Sequence, residues 1–220
     1  MALDTVIFDM DGLLIDSEPL WAEAADEVLK DYQVSLTKQQ YVQTTGLRTK
    51  EFLLYWFNFF KIDLKEIPAA EKKIVELVLY KITHHGKIMP GVHYIINFFH
   101  QKKFKIGVAS SSPQELIDLV ADMLQIKKYL HATSSAEDLP YGKPHPLVYL
   151  NCAEQLQVEP AHCICFEDSF NGMIAAKAAK MKCVVVPEHQ QHQLLHWAAA
   201  DLKLSSLQNF SELHFNNINQ

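Results

Sequence analysis

The chain has 220 residues, enough for one large domain or for one domain carrying a smaller insertion. Apolar residues make up 49% and charged residues 21%, with a formal net charge of −6, which is the profile of an ordinary globular protein. No block of Lys and Arg points to a nucleic-acid or membrane-surface partner, and no apolar run reaches the roughly 18 residues of a membrane span. The short apolar stretch at residues 6–8 lacks a preceding basic region, so no secretory leader is expected and a cytoplasmic monomer is.

In chain order, residues 3–9 read as a short strand that ends on Asp9-Met10-Asp11-Gly12. Ser17-Glu18-Pro19 then has the pattern of a helix start, with a hydroxyl cap and a proline in the first turn. From Pro19 to Gly86 the patterns are helical, as at residues 51–57 and 71–79, and no convincing strand occurs. Pro90-Gly91 punctuates the return to alternation. Strands are expected at residues 104–110, 162–167 and 183–187, with a weaker one at 130–134. Helices should open at Ser112-Pro113-Gln114-Glu115 and after Ser169. Short β-rich runs separated by helical stretches predict an α/β fold with βαβ units and a buried parallel sheet, into which a helical segment is inserted after the first strand. The tail after Phe215, rich in Asn and Gln, is expected to fray. Cys152, Cys163, Cys165 and Cys183 form no C-x-x-C pair and read as buried, reduced thiols. His189, His192 and His196 read as a solvated face in preference to a metal site.

Four places carry chemistry. Asp9 and Asp11 lie at the carboxyl end of the first strand, where ligands bind in open α/β sheets. Glu167 and Asp168 end a later strand. If the two strands are neighbours, their carboxylates converge, and each pair of unit charges about 4 Å apart costs on the order of 4 kcal/mol at an effective dielectric of 20. A hard cation with oxygen ligands relieves that repulsion, and magnesium fits. Ser110, Ser111 and Ser112 stand between a strand end and a helix start, where hydroxyls and free N–H groups make an anion site, with Ser110 the better phosphate ligand and Ser112 the cap. Lys143 is held in a stiff loop by Pro144 and Pro146.

Taken together, Asp9-x-Asp11-Gly12, Ser110, Lys143-Pro144 and Glu167-Asp168-Ser169 resemble the motifs of the haloacid dehalogenase superfamily of phosphohydrolases. The runs FDMDGLLIDSEPLW at residues 8–21, GLR at 46–48 and KPHP at 143–146 narrow the likeness to bacterial sugar-phosphatases of the 2-deoxyglucose-6-phosphatase and hexitol-phosphatase type. The resemblance implies a Rossmann-like core, residues 1–16 and 88–220, with a helical cap over 17–87. It implies that Asp9 is the nucleophile and a Mg2+ ligand. Asp11 would be the general acid and base, its carbonyl also on the metal. Ser110, Ser111 and Lys143 would hold the phosphoryl group, and Asp168 would complete the metal site with Glu167 beside it. The substrate would be a small phosphate ester, a sugar or polyol phosphate. The loop at Gly46-Leu47-Arg48 resembles the family's substrate-specificity loop, with Arg48, the only arginine of the chain, and Trp21 expected against the leaving group. Trp21 stands where mutase relatives carry a histidine, which disfavours an isomerase of the β-phosphoglucomutase type. Lys180 stands where relatives often have glycine at a helix end. A non-catalytic binding protein on this fold is disfavoured because every chemical position is filled, and dehalogenation because it has no use for Asp11.

Overall fold

The structure, a computed structural model, describes residues 2–220. Its centre is a parallel six-stranded sheet of β1 (Thr5–Phe8), β2 (Lys105–Ser110), β3 (Ala132–Ser135), β4 (Cys163–Glu167), β5 (Lys182–Val185) and β6 (Leu202–Lys203), in the order β3-β2-β1-β4-β5-β6. β1 lies between β2 and β4, with Phe8 level with Val108 and Phe166. Every residue of β1 and β4 is buried, as a sheet covered on both faces requires. The period of two divides the strand side chains between two apolar layers. Val6, Phe8, Ile106, Ile164 and Phe166 face one way, towards α5 (Val92–Gln101) and α6 (Gln114–Met123). Ile7, Cys163, Cys165 and Cys183 face the other, towards α7 (Leu147–Gln155) and α8 (Phe170–Ala178). All four cysteines are buried free thiols, and burial raises each thiol above its usual range.

The β3 strand occurs close to its expected place. The two-residue β6 has no counterpart among the sequence expectations. The tail departs from expectation too. Residues 212–218 form a helix (Glu212–Ile218), capped by the Ser211 hydroxyl on the His214 N–H. Phe215 and Ile218 are buried, and the Leu3 N–H donates to Asn219 Oδ1 at 2.7 Å. Lys180 sits just past α8 with φ of 63°, the left-handed conformation that ends many helices and that glycine adopts most easily.

Between β1 and α5 the chain forms four further α-helices, α1 (Glu18–Leu29), α2 (Lys38–Thr44), α3 (Thr49–Phe60) and α4 (Ile67–His85). On α4, Ile67, Ala70, Ile74, Val78 and Ile82 recur every three or four residues and make one buried stripe, against which α1 and α3 pack. The chain enters and leaves this insertion through neighbouring passages. Ile15 and Ile88 form an antiparallel bridge, and the Asp16 N–H donates to the Lys87 carbonyl.

Candidate active site

The strand order places a topological switch at β1. The chain runs outward from β1 through β2 to β3, then returns to β4 on the other side. Ligands of such sheets bind beyond the carboxyl edge at that point. Asp9 directly follows β1 there, its N–H bonded to the Phe166 carbonyl. Gly12 turns the chain with φ of 73°, and a Cβ there would lie 2.0 Å from Asp168 Oδ2. Only glycine lets the loop after β1 pass so close to the loop after β4.

Oxygen atoms of Asp9, Glu167 and Asp168 lie within 4.8 Å of one another. Among them sits Lys143, 1% exposed, whose Nζ donates to Asp9 Oδ1 and, at 2.6 Å, to Glu167 Oε1. Burial alone would lower the Lys143 pKa, but Asp9 and Glu167 more than offset it, and the ammonium stays charged. Burial raises Asp9 well above the usual carboxylate range, against the pull of Lys143 and with Glu167 and Asp11 adding to it. Asp168 is raised in the same way, by burial first and then by Asp9 and Glu167. One lysine therefore faces more negative charge than it can balance. An all-oxygen donor set short of positive charge would suit a magnesium ion, with the Asp9 and Asp168 carboxylates as candidate ligands.

Glu167 has a different set of partners. Its Oε1 accepts from Lys143 and from the Tyr149 hydroxyl at 2.5 Å. Its Oε2 accepts from the N–H groups of Asp168 and Ser169 and from the Ser169 hydroxyl. A Cβ at Gly172 would stand 1.8 Å from Oε1, so the glycine in α8 makes the space that this carboxylate fills. Tyr149 and Gly172 were not singled out from the sequence.

The Asp11 carboxylate is also surrounded by donors. Oδ1 accepts from the Ser17 hydroxyl at 2.7 Å and from Trp21 Nε1 at 2.8 Å. Oδ2 accepts from the Ser112 hydroxyl at 2.6 Å and from Ser110 at 3.3 Å. Ser17 and Ser112 read from the sequence as helix caps, yet neither makes a side-chain cap bond, and both hydroxyls go to Asp11. Ser111 donates to the Gly46 carbonyl at 2.7 Å, across to the insertion.

Over these residues lies a cavity of about 910 Å³, bounded by the sheet edge and the insertion. Trp21 and Gly46 line it, together with Tyr41 and Phe52. Glu18 lines it too, and burial, followed by the nearby Asp11, pushes its pKa up to about 8. Arg48 is not among the lining residues. Its Nη1 donates to the carbonyls of Ala136 and Leu139, at 3.0 and 2.6 Å, and its Nη2 to Glu51 at 2.6 Å. In this structure the Arg48 side chain is committed to these partners and does not face the cavity. Among the described residues, the three histidines near 192 gather into no metal-binding group, and His196 packs its ring on Phe170 instead.

Residues 6–186 match the family model described as haloacid dehalogenase-like hydrolase. Hexitol phosphatase B of Escherichia coli is 37% identical over 202 residues, 91% of each chain. A phosphorylated-carbohydrates phosphatase of Thermotoga maritima is 33% identical over 182 residues, 80% of this chain and 82% of its own. In shape, the β-phosphoglucomutase of Clostridium difficile superposes with a TM-score of 0.88 at 21% identity, covering 99% of this chain and 97% of its own, a likeness of fold. The chain belongs to the haloacid dehalogenase-like hydrolase family.

Proposed function

We propose that this phosphoric monoester hydrolase is magnesium-dependent and hydrolyses a small sugar or polyol phosphate through an aspartyl-phosphate on Asp9. The observation that carries the reading is the meeting of Asp9, Lys143 and Asp168 at one sheet edge beneath a cavity roomy enough for a sugar phosphate. Asp9 attacks phosphorus as the bond to the leaving oxygen breaks, and Asp11 gives that oxygen a proton. Asp11 then takes a proton from the water that attacks the same phosphorus, which releases phosphate and restores Asp9. Lys143 neutralises charge between the nucleophile and the phosphoryl oxygens. A magnesium ion on Asp9, Asp168 and the Asp11 carbonyl would add to that neutralisation. Glu167 serves this chemistry by fixing Lys143. The insertion acts as a cap that keeps bulk water from the site, and one chain supplies every group, so a monomer suffices.

The relatives' names support a phosphorylated carbohydrate or polyol as substrate. Trp21 speaks against mutase action, since its indole N–H donates to Asp11 and has no basic nitrogen with which to carry a proton. The test is phosphate release with magnesium across a panel of sugar and polyol phosphates, with Asp9→Asn as control. The amide is a poor nucleophile of nearly the same shape. A variant that keeps its melting temperature and retains more than a few per cent of turnover would rule out Asp9 as nucleophile.

A further inference from the structure

The segment from Thr45 to Glu51 joins α2 to α3 on the insertion, and it touches three loops of the core. The Thr45 carbonyl accepts from Asn171 Nδ2 at 2.8 Å, beyond β4, and the Gly46 carbonyl accepts from the Ser111 hydroxyl, beyond β2. Arg48 and Glu51 reach the third loop, residues 136–142, which leads from β3 to Lys143. The Arg48 side chain is only 13% exposed. One of its terminal nitrogens takes two carbonyls of that loop, and the other takes Glu51, whose Oε1 also accepts from the Gly142 N–H at 3.2 Å. A side chain at Gly142 would crowd both of these residues. A Cβ there would lie 2.6 Å from Glu51 Oε2 and 2.7 Å from Arg48 Nε. The next residue is Lys143, which bridges Asp9 and Glu167.

We propose that the Arg48–Glu51 pair is a latch that registers the cap on the 136–142 loop and so positions Lys143 for phosphoryl transfer. A guanidinium suits the task, because its planar fork can hold two backbone carbonyls and a carboxylate at once, which an ammonium does less well. Arg48 is then a positioning residue for every ester that the enzyme cleaves, and not a reader of the leaving group. Glycine at 142 is the matching half of the latch on the core.

The proposal rests on the phosphatase reading, and the experiment separates the two. Wild-type phosphate release from p-nitrophenyl phosphate and from the best ester of the panel tests the reading itself. Arg48→Ala and Gly142→Ala, made on the full chain, test the latch. Each is expected to lower kcat by the same factor on both substrates, on the order of 30-fold as for a lost charged hydrogen bond, with KM changed by no more than about twofold. The double variant should lose little more than the worse single one, because both break one device. Glu51→Gln, which keeps an acceptor for Gly142, should retain more activity than Glu51→Ala. A loss confined to the panel ester, a rise in KM alone, or additive losses in the double variant would overturn the latch. Hydrogen exchange needs no turnover and reads it independently: exchange in residues 136–142 should quicken in Arg48→Ala at an unchanged melting temperature. Exchange there that matches wild type would overturn it, whatever the outcome of the activity screen.

Discussion

Replacing Trp21 by phenylalanine removes one of four donors to the Asp11 carboxylate and leaves an aromatic ring in its place. The Trp21 bond, at 2.8 Å, shares Oδ1 with Ser17, while Ser110 and Ser112 hold Oδ2. Hydrogen bonds to a charged group contribute about 1.5–3 kcal/mol. Three remaining donors keep the carboxylate near its place, so the lower figure applies, and about 1.5 kcal/mol corresponds to roughly tenfold in rate. If Asp11 moves the protons of both half-reactions, that loss falls on kcat, with KM little changed. Trp21→His returns an N–H donor and should recover part of the rate. The assay is steady-state phosphate release by wild type and both variants, with thermal melting to show that the fold persists. A KM effect with kcat intact would refute the argument and make Trp21 a contact of the leaving group. Kinetics identical to wild type would show that the bond does not place Asp11.

Activity should require magnesium and vanish with a chelator, as measured by phosphate release in metal-stripped buffer, because Lys143 alone does not balance the carboxylates around it. Calcium should inhibit, since its looser coordination accepts a second carboxylate oxygen and misplaces Asp9; equal turnover with calcium would count against this geometry. Metal-free protein should lose stability as pH rises from about 4.5 to about 8 through Glu18. The folded state holds that proton longer than the unfolded chain does, so in this window unfolding releases protons and rising pH favours it. Melting curves across the window should show a flatter slope for Glu18→Gln, and an unchanged slope would exclude Glu18 as a source. Gly172→Ala places a methyl group on Glu167 and should lower kcat by tenfold or more by displacing Lys143, measured beside its melting temperature; full activity would show that Glu167 can shift at no cost.

The sheet and the acidic strand ends were legible because each announces itself locally. A buried parallel strand is a short unbroken apolar run, and a carboxylate that ends one interrupts the pattern visibly. Strand β6 has only two residues, too few to form a pattern. The last helix was hidden by composition, since four of the five residues after Phe215 are Asn or Gln, while only Phe215 and Ile218 anchor it. Ser17 and Ser112 misled for a physical reason: a hydroxyl before a helical run has the same local sequence whether it caps the helix or turns to a neighbouring carboxylate. Gly172 did carry a usable signal. A glycine inside a helix costs about 1 kcal/mol relative to alanine, which implies a neighbour that needs the space. Tyr149 carried none, because one tyrosine on a helix face does not reveal a partner 18 positions away. For Arg48 the sequence located the residue on its loop but not the direction of its side chain.

The donors around Asp11 divide the site in a way that bears on its chemistry. Asp9, Lys143, Glu167 and Asp168 all belong to the sheet edge, and their mutual bonds involve no residue of the insertion. Asp11 differs, since Ser110 and Ser112 come from the end of β2 while Ser17 and Trp21 come from the start of α1. Lifting α1 away would take both partners from Asp11 Oδ1, freeing that carboxylate to turn. If Asp11 carries the proton to the leaving oxygen, that transfer depends on how the insertion is seated. With the Arg48–Glu51 latch proposed above, the same seating would also place Lys143, so one arrangement of the insertion would ready both groups together.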